Sequence, residues 1–97
     1  MTDFINKIIC IDHKKTSMRL AIPEWNAIDT ICQKENIKRN TLFELINTNK
    51  DKNLGLTCSV RLFTTIYLFQ CVKEKQQTQY AKEKHVSPIF NAIKGII

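Results

Sequence analysis

Lys15-Thr16-Ser17-Met18-Arg19-Leu20 is the stretch on which the reading of the chain turns. Successive strand residues point to opposite faces. Thr16, Met18 and Leu20 therefore share one face, and Lys15, Ser17, Arg19 and Ala21 share the other. The first face suits burial and the second suits a polar, anionic surface. A lone strand leaves its backbone donors and acceptors unpaired along both edges, so it needs a partner. The nearest candidate is the same strand in a second copy of the chain. The expectation is a homodimer with a two-stranded ribbon and a basic outer face, Met18 and Leu20 holding the dimer.

Upstream, Phe4 to Ile11 is mostly apolar and reads as a short strand near Lys7–Ile11 or as an ordered arm. Asp12-His13-Lys14-Lys15 is a polar break. Downstream, Pro23 ends the strand and suits the first turn of a helix, where Glu24 meets the positive end of the helix dipole. Trp25, Ile28, Ile31 and Cys32 recur at helical spacing, which predicts a helix over Pro23–Glu35 with Asn36 as a left-handed C-cap. Trp25 at that spacing reads as a core residue rather than a stacking platform.

A second helix is expected from Lys38 or Arg39 to about Asn47–Lys50, with Leu42, Phe43, Leu45 and Ile46 as its apolar stripe. The run from Asn47 to Asn53 is rich in turn formers. A third helix should follow Thr57 as N-cap, with Val60, Phe63, Ile66, Tyr67, Phe69 and Cys71 on its apolar side, Leu62 and Leu68 widening the stripe, and Val72 to Tyr80 projecting as an exposed helix. Ser87-Pro88 then opens a short terminal helix carrying Ile89, Phe90, Ile93 and Ile96. Its apolar face must pack on the core or on a partner.

The chain has 97 residues and 43% apolar content, enough for one small domain and too much for a disordered chain. The net charge is +6, so two copies carry twice that, which suits a polyanion such as nucleic acid. The excess divides evenly between residues 1–70 and 71–97.

The four cysteines (10, 32, 58 and 71) form no C-x-x-C pair and read as reduced thiols rather than metal ligands. No cofactor is expected. The first residues carry no secretory pattern and no apolar run approaches membrane length, so a cytoplasmic, nucleoid-associated location is expected. Glycine occurs only at 55 and 95, and the two histidines lie at 13 and 85, so neither a phosphate loop nor a catalytic constellation can be built. An enzyme is not expected.

From Thr16-Ser17-Met18-Arg19-Leu20 through Leu42-Phe43, the ordered set of residues resembles the ribbon-helix-helix DNA-binding domains of the Arc/MetJ type, found in bacterial and phage repressors. Asp51 to Leu68 resembles the third helix of a subgroup in which an Asn-Leu-Ser-Ser-like opening precedes Arg-Leu-Phe. The likeness covers about residues 8–70. It implies a mainly α fold with one short N-terminal β-strand, an intertwined homodimer and additional C-terminal helices.

The likeness also implies base reading by the outer strand face, here Lys15, Ser17, Arg19 and Ala21. It implies phosphate binding at the start of the second helix, here Lys38, Arg39 and Asn40, with Lys14 nearby. This chain departs from the pattern at Lys38, where relatives often carry a capping Ser or Thr, and at Ala21, where some place a longer polar reader. The function implied is a sequence-specific transcriptional repressor or autoregulator of double-stranded DNA. The alternative is a dimerisation module, antitoxin-like, that binds a protein partner through its C-terminal extension. Residues 1–70 would form the domain, and 71–97 an extension for packing or oligomerisation, up to assemblies beyond the dimer.

Overall fold

The computed structural model describes residues 3–76 and 88–97, in the order β1 (Phe4–Ile11), β2 (Lys14–Ala21), α1 (Ile22–Glu35), α2 (Arg39–Asn49), α3 (Leu56–Gln76) and α4 (Pro88–Ile96). The chain is mainly helical, with a two-stranded antiparallel ribbon at its start. The ribbon was expected; the source of its second strand was not. β2 pairs with β1 of the same chain, so the protomer has two strands rather than one.

The joint is the two-residue turn Asp12-His13, with φ of 51° and 65°. Two positive φ values in a two-residue loop give the primed turn whose twist matches that of the flanking strands. Asp and His enter this region more readily than most residues do. So short a loop costs little closure entropy, which favours local pairing over pairing with another molecule.

The register sets Ile5 opposite Leu20, Lys7 opposite Met18 and Ile9 opposite Thr16 on one face. On the other, Phe4 faces Ala21, Asn6 faces Arg19, Ile8 faces Ser17 and Cys10 faces Lys15. Met18 and Leu20 are buried against the protomer's own helices, in one cluster with Ile9, Trp25, Ile28, Leu42 and Phe43. They hold the protomer together, which corrects the expectation that they hold the dimer.

α1 starts at Ile22, one residue before the expected Pro23. Ala21 is its extended N-cap, and the Glu24 carboxylate accepts the Ala21 N–H at 2.8 Å. This satisfies a donor at the strand-to-helix junction. Asn36 ends the helix at φ 56° and ψ 48°, its N–H returned to Cys32 and Gln33. The Trp25 indole N–H donates to the Ile5 carbonyl at 3.0 Å, and its ring lies 6.2 Å from that of Phe43, which makes it a core residue. Leu42, Phe43 and Ile46 are fully buried on α2, each contributing about 1.5–3 kcal/mol relative to exposure. Leu45 is exposed, so the stripe is narrower than expected.

α3 opens at Leu56, so Thr57 lies in its first turn and is not its cap; the Gly55 carbonyl accepts both the N–H and the hydroxyl of Ser59. The helix is continuous across residue 70. Val60, Phe63 and Tyr67 are buried on it, with Ile66 and Cys71 half-buried, whereas Leu62, Leu68, Phe69 and Val72 are exposed, so the expected stripe is too wide. α4 packs along α3, burying Ala92, Ile93 and Ile96. Gly95 permits the close approach, because a Cβ there would stand 2.6 Å from Ile66 Cδ1. The Ile96 carbonyl also accepts the Asp51 N–H, tying the tail to the α2–α3 loop. The expected projection beyond Gln76 and the Ser87 cap lie outside the described residues.

Candidate nucleic-acid interface

Lys15, Ser17 and Arg19 are exposed on one face of β2, as the alternation predicts. Ala21, expected beside them as a reader, is only 7% exposed and offers a groove little surface. It belongs to the strand-to-helix junction, where the chain turns inward. Lys14 is exposed at the hairpin turn.

β1 adds residues that the sequence did not mark. Asn6 and Ile8 share the face of Arg19 and Ser17, and Ile8 is 72% exposed. The Arg19 guanidinium sits 5.4 Å from the centre of the Phe4 ring, a cation–π contact that narrows its conformational freedom. Among the described residues Arg19 has no carboxylate partner within ion-pair distance.

The outer edge of β2 is open. The Cys10 N–H donates to Asn40 Oδ1 at 3.1 Å, out of the sheet. Cys10 and its opposite, Lys15, are therefore a pair whose backbone groups point away from each other. Alternation along the ladder then turns the N–H and C=O of Lys15, Ser17 and Arg19 away from β1. Among the described residues only the Ala21 N–H on this edge is taken, by Glu24.

The start of α2 stands beside the hairpin. Lys38 is its N-cap, exposed, with no capping hydrogen bond from its side chain. The first turn carries no acidic residue, so its free amides and dipole favour an anion. Asn40, in the first turn, accepts the Cys10 N–H with its side-chain oxygen, and its amide NH2 can donate. Arg39 is part-committed, 3.8 Å from Asp29 and 5.3 Å from the Trp25 ring centre. A cleft of about 780 Å³ between β1 and the α1–α2 corner brings Lys15, Arg39 and Asn40 to one rim. Two groups that the sequence treats separately thus meet.

These features are a basic two-stranded ribbon, a helix pair closed by a left-handed Asn, and a second helix whose open end flanks the ribbon. A family model described as a ribbon-helix-helix domain matches residues 4–68. The chain belongs to the ribbon-helix-helix family. Neither the curated proteins nor the solved structures gave a match. At the level of the family, a ribbon-helix-helix domain supports DNA binding or regulation, and such domains typically dimerise. In this ribbon-helix-helix chain the match takes in all of β1, so the extra strand lies within the domain and not outside it.

Away from the ribbon, burial pushes the Cys32 thiol up, with Asp29 adding to the rise and Arg39 opposing it. The Tyr67 hydroxyl is held well above its ordinary value by burial, and its 2.6 Å hydrogen bond to Glu35 adds to the rise. Both stay protonated and act as packing groups. Among the described residues no group of three or more Cys, His, Asp or Glu could hold a metal ion, and no helix is long and apolar enough to cross a membrane.

Proposed function

We propose that this chain is a homodimeric, sequence-specific DNA-binding protein, a transcriptional repressor or autoregulator, that reads the major groove with the outer face of β2. The observation that carries the reading is the open edge of β2 beside an exposed Lys15-Ser17-Arg19 face. A second copy adds to that edge, giving the strand order β1-β2-β2-β1 across the dimer. Four strands at about 4.8 Å spacing span about 14 Å between outer axes, against a groove about 12 Å wide. The two β2 strands lie in the groove, and the β1 strands ride at its walls.

Arg19 then reads guanine through a bidentate contact, with Ser17 and Lys15 beside it. Lys38, Arg39, Asn40 and Lys14 hold the flanking phosphates. Selection of bound sequences from a random DNA pool tests this. A defined site with two-fold symmetry is expected; binding without sequence preference would refute it.

One observation favours a second reading, in which the fold dimerises and holds a protein partner without specific DNA readout. Phe69, Val72, Phe90 and Ile97 on α3, α4 and the tail are each more than half exposed. No mobility shift at low salt, together with dimerisation, would favour it.

A further inference from the structure

At the end of the hairpin away from the turn, three side chains from three elements converge. Phe4 begins β1 on the outer face, Arg19 lies on β2, and Arg61 comes from α3, which packs against β2. The Arg19 and Arg61 guanidinium carbons lie 5.4 and 6.0 Å from the centre of the same Phe4 ring. The three line one shallow cleft of about 390 Å³.

Its charge is not balanced from within. Among the described residues Glu24 is the one carboxylate in contact, with Oε2 at 2.8 Å from Arg61 Nε. Its other oxygen accepts the Ala21 N–H, and among the described residues no ion pair joins it to Arg19. The ion pair approaches Glu24 through Nε of Arg61, a guanidinium carries five N–H donors, and the side chain is 44% exposed. Two guanidiniums with one carboxylate leave a cationic cleft. Its donors match a phosphate oxygen pair, and its apolar wall matches a deoxyribose.

We infer that Arg19, Arg61 and Phe4 form a second anchor for the DNA backbone, a cleft that takes a phosphodiester group. The inference rests on the DNA-binding reading above and extends it to α3. The α2 anchor joins the hairpin at Cys10, and Phe4 lies six residues back along β1, about 20 Å away. The ribbon is held to the backbone at both ends, which fixes its angle in the groove. Arg61 takes phosphate, while Arg19 is shared between the rim and the base edges.

The experiment measures affinity for non-specific duplex DNA against salt, using the full chain. In a dimer, Arg61→Gln removes two phosphate contacts, and the log–log salt slope falls by about 1.8. Between about 50 and 200 mM salt the wild-type affinity therefore drops about twelvefold more than the variant's. Arg61→Lys, which keeps a charge, retains most of the slope.

Arg61→Gln also breaks an ion pair, so Glu24→Gln serves as the second variant. It frees Arg61 while its amide oxygen still accepts the Ala21 N–H, and DNA binding strengthens. In the Arg61→Gln background that gain disappears. An unchanged slope in Arg61→Gln, or an equal gain from Glu24→Gln with and without Arg61, overturns the proposal. A wild-type chain that binds no DNA even at low salt would instead overturn the function on which it rests.

Discussion

Proline at Ser17 separates the two edges of β2. The Ser17 N–H points away from β1, because Cys10 and Lys15 form an outward-facing pair and alternation carries that direction to Ser17. Proline is tolerated where the strand N–H faces solvent. Ser17→Pro should therefore leave the hairpin folded, at the cost of some strain in φ, while removing one donor per protomer from the open edge. Two lost hydrogen bonds at about 0.5–1.5 kcal/mol each amount to about 1–3 kcal/mol. The dimer dissociation constant should rise about 5- to 150-fold.

Thr16→Pro is the control. Thr16 pairs inward with Ile9, so its proline breaks the β1–β2 ladder and should unfold the hairpin. Sedimentation equilibrium reports the dimer constant, and circular dichroism melts report the fold. A Ser17→Pro protein that is folded and dimerises as tightly as wild type would refute pairing through this edge.

Lys38→Ala with Arg39→Ala should weaken binding to all DNA sequences alike and lower the salt slope by about 0.9 for each phosphate left without its cation; a selective loss on one sequence would argue for base reading there. Asn40→Ala leaves the Cys10 N–H without its partner, and a loss of about 0.5–1.5 kcal/mol is expected in chemical denaturation.

Tyr67 supplies a pH test. Its folded value is raised above the unfolded one, so its contribution to stability is full below the ordinary tyrosine value of about 10 and is lost as pH rises above it. Wild-type stability should fall in that alkaline window more steeply than that of Tyr67→Phe; parallel curves would contradict the cause.

The helices were legible because their signals are local. Pro23-Glu24, the Trp25-Ile28-Ile31-Cys32 stripe and the left-handed Asn36 each carry their own stereochemical reason, and all stand where the sequence placed them. The exposed trio Lys15, Ser17 and Arg19 followed from alternation alone. β1 was harder to read. Ile8-Ile9-Cys10-Ile11 is continuously apolar, so no alternation marks its faces, and Asp12-His13 makes a primed turn without the glycine that usually announces one.

Ala21 was misjudged because period-two counting ignores the junction with α1, which buries it. The Arg61 cleft was hidden for another reason. It depends on α3 packing beside a strand far earlier in the chain, and nothing local encodes that.

Methylation interference on a selected DNA site separates base reading by Arg19 from binding through the backbone alone. Methyl groups at guanine N7 occupy the edge that Arg19 is proposed to read. N7 methylation at guanines in both half-sites should block wild-type binding, and Arg19→Ala, still folded and dimeric, should lose this interference along with about 1–3 kcal/mol of discrimination. Binding indifferent to N7 methylation, or an interference pattern unchanged in Arg19→Ala, would contradict base reading by Arg19.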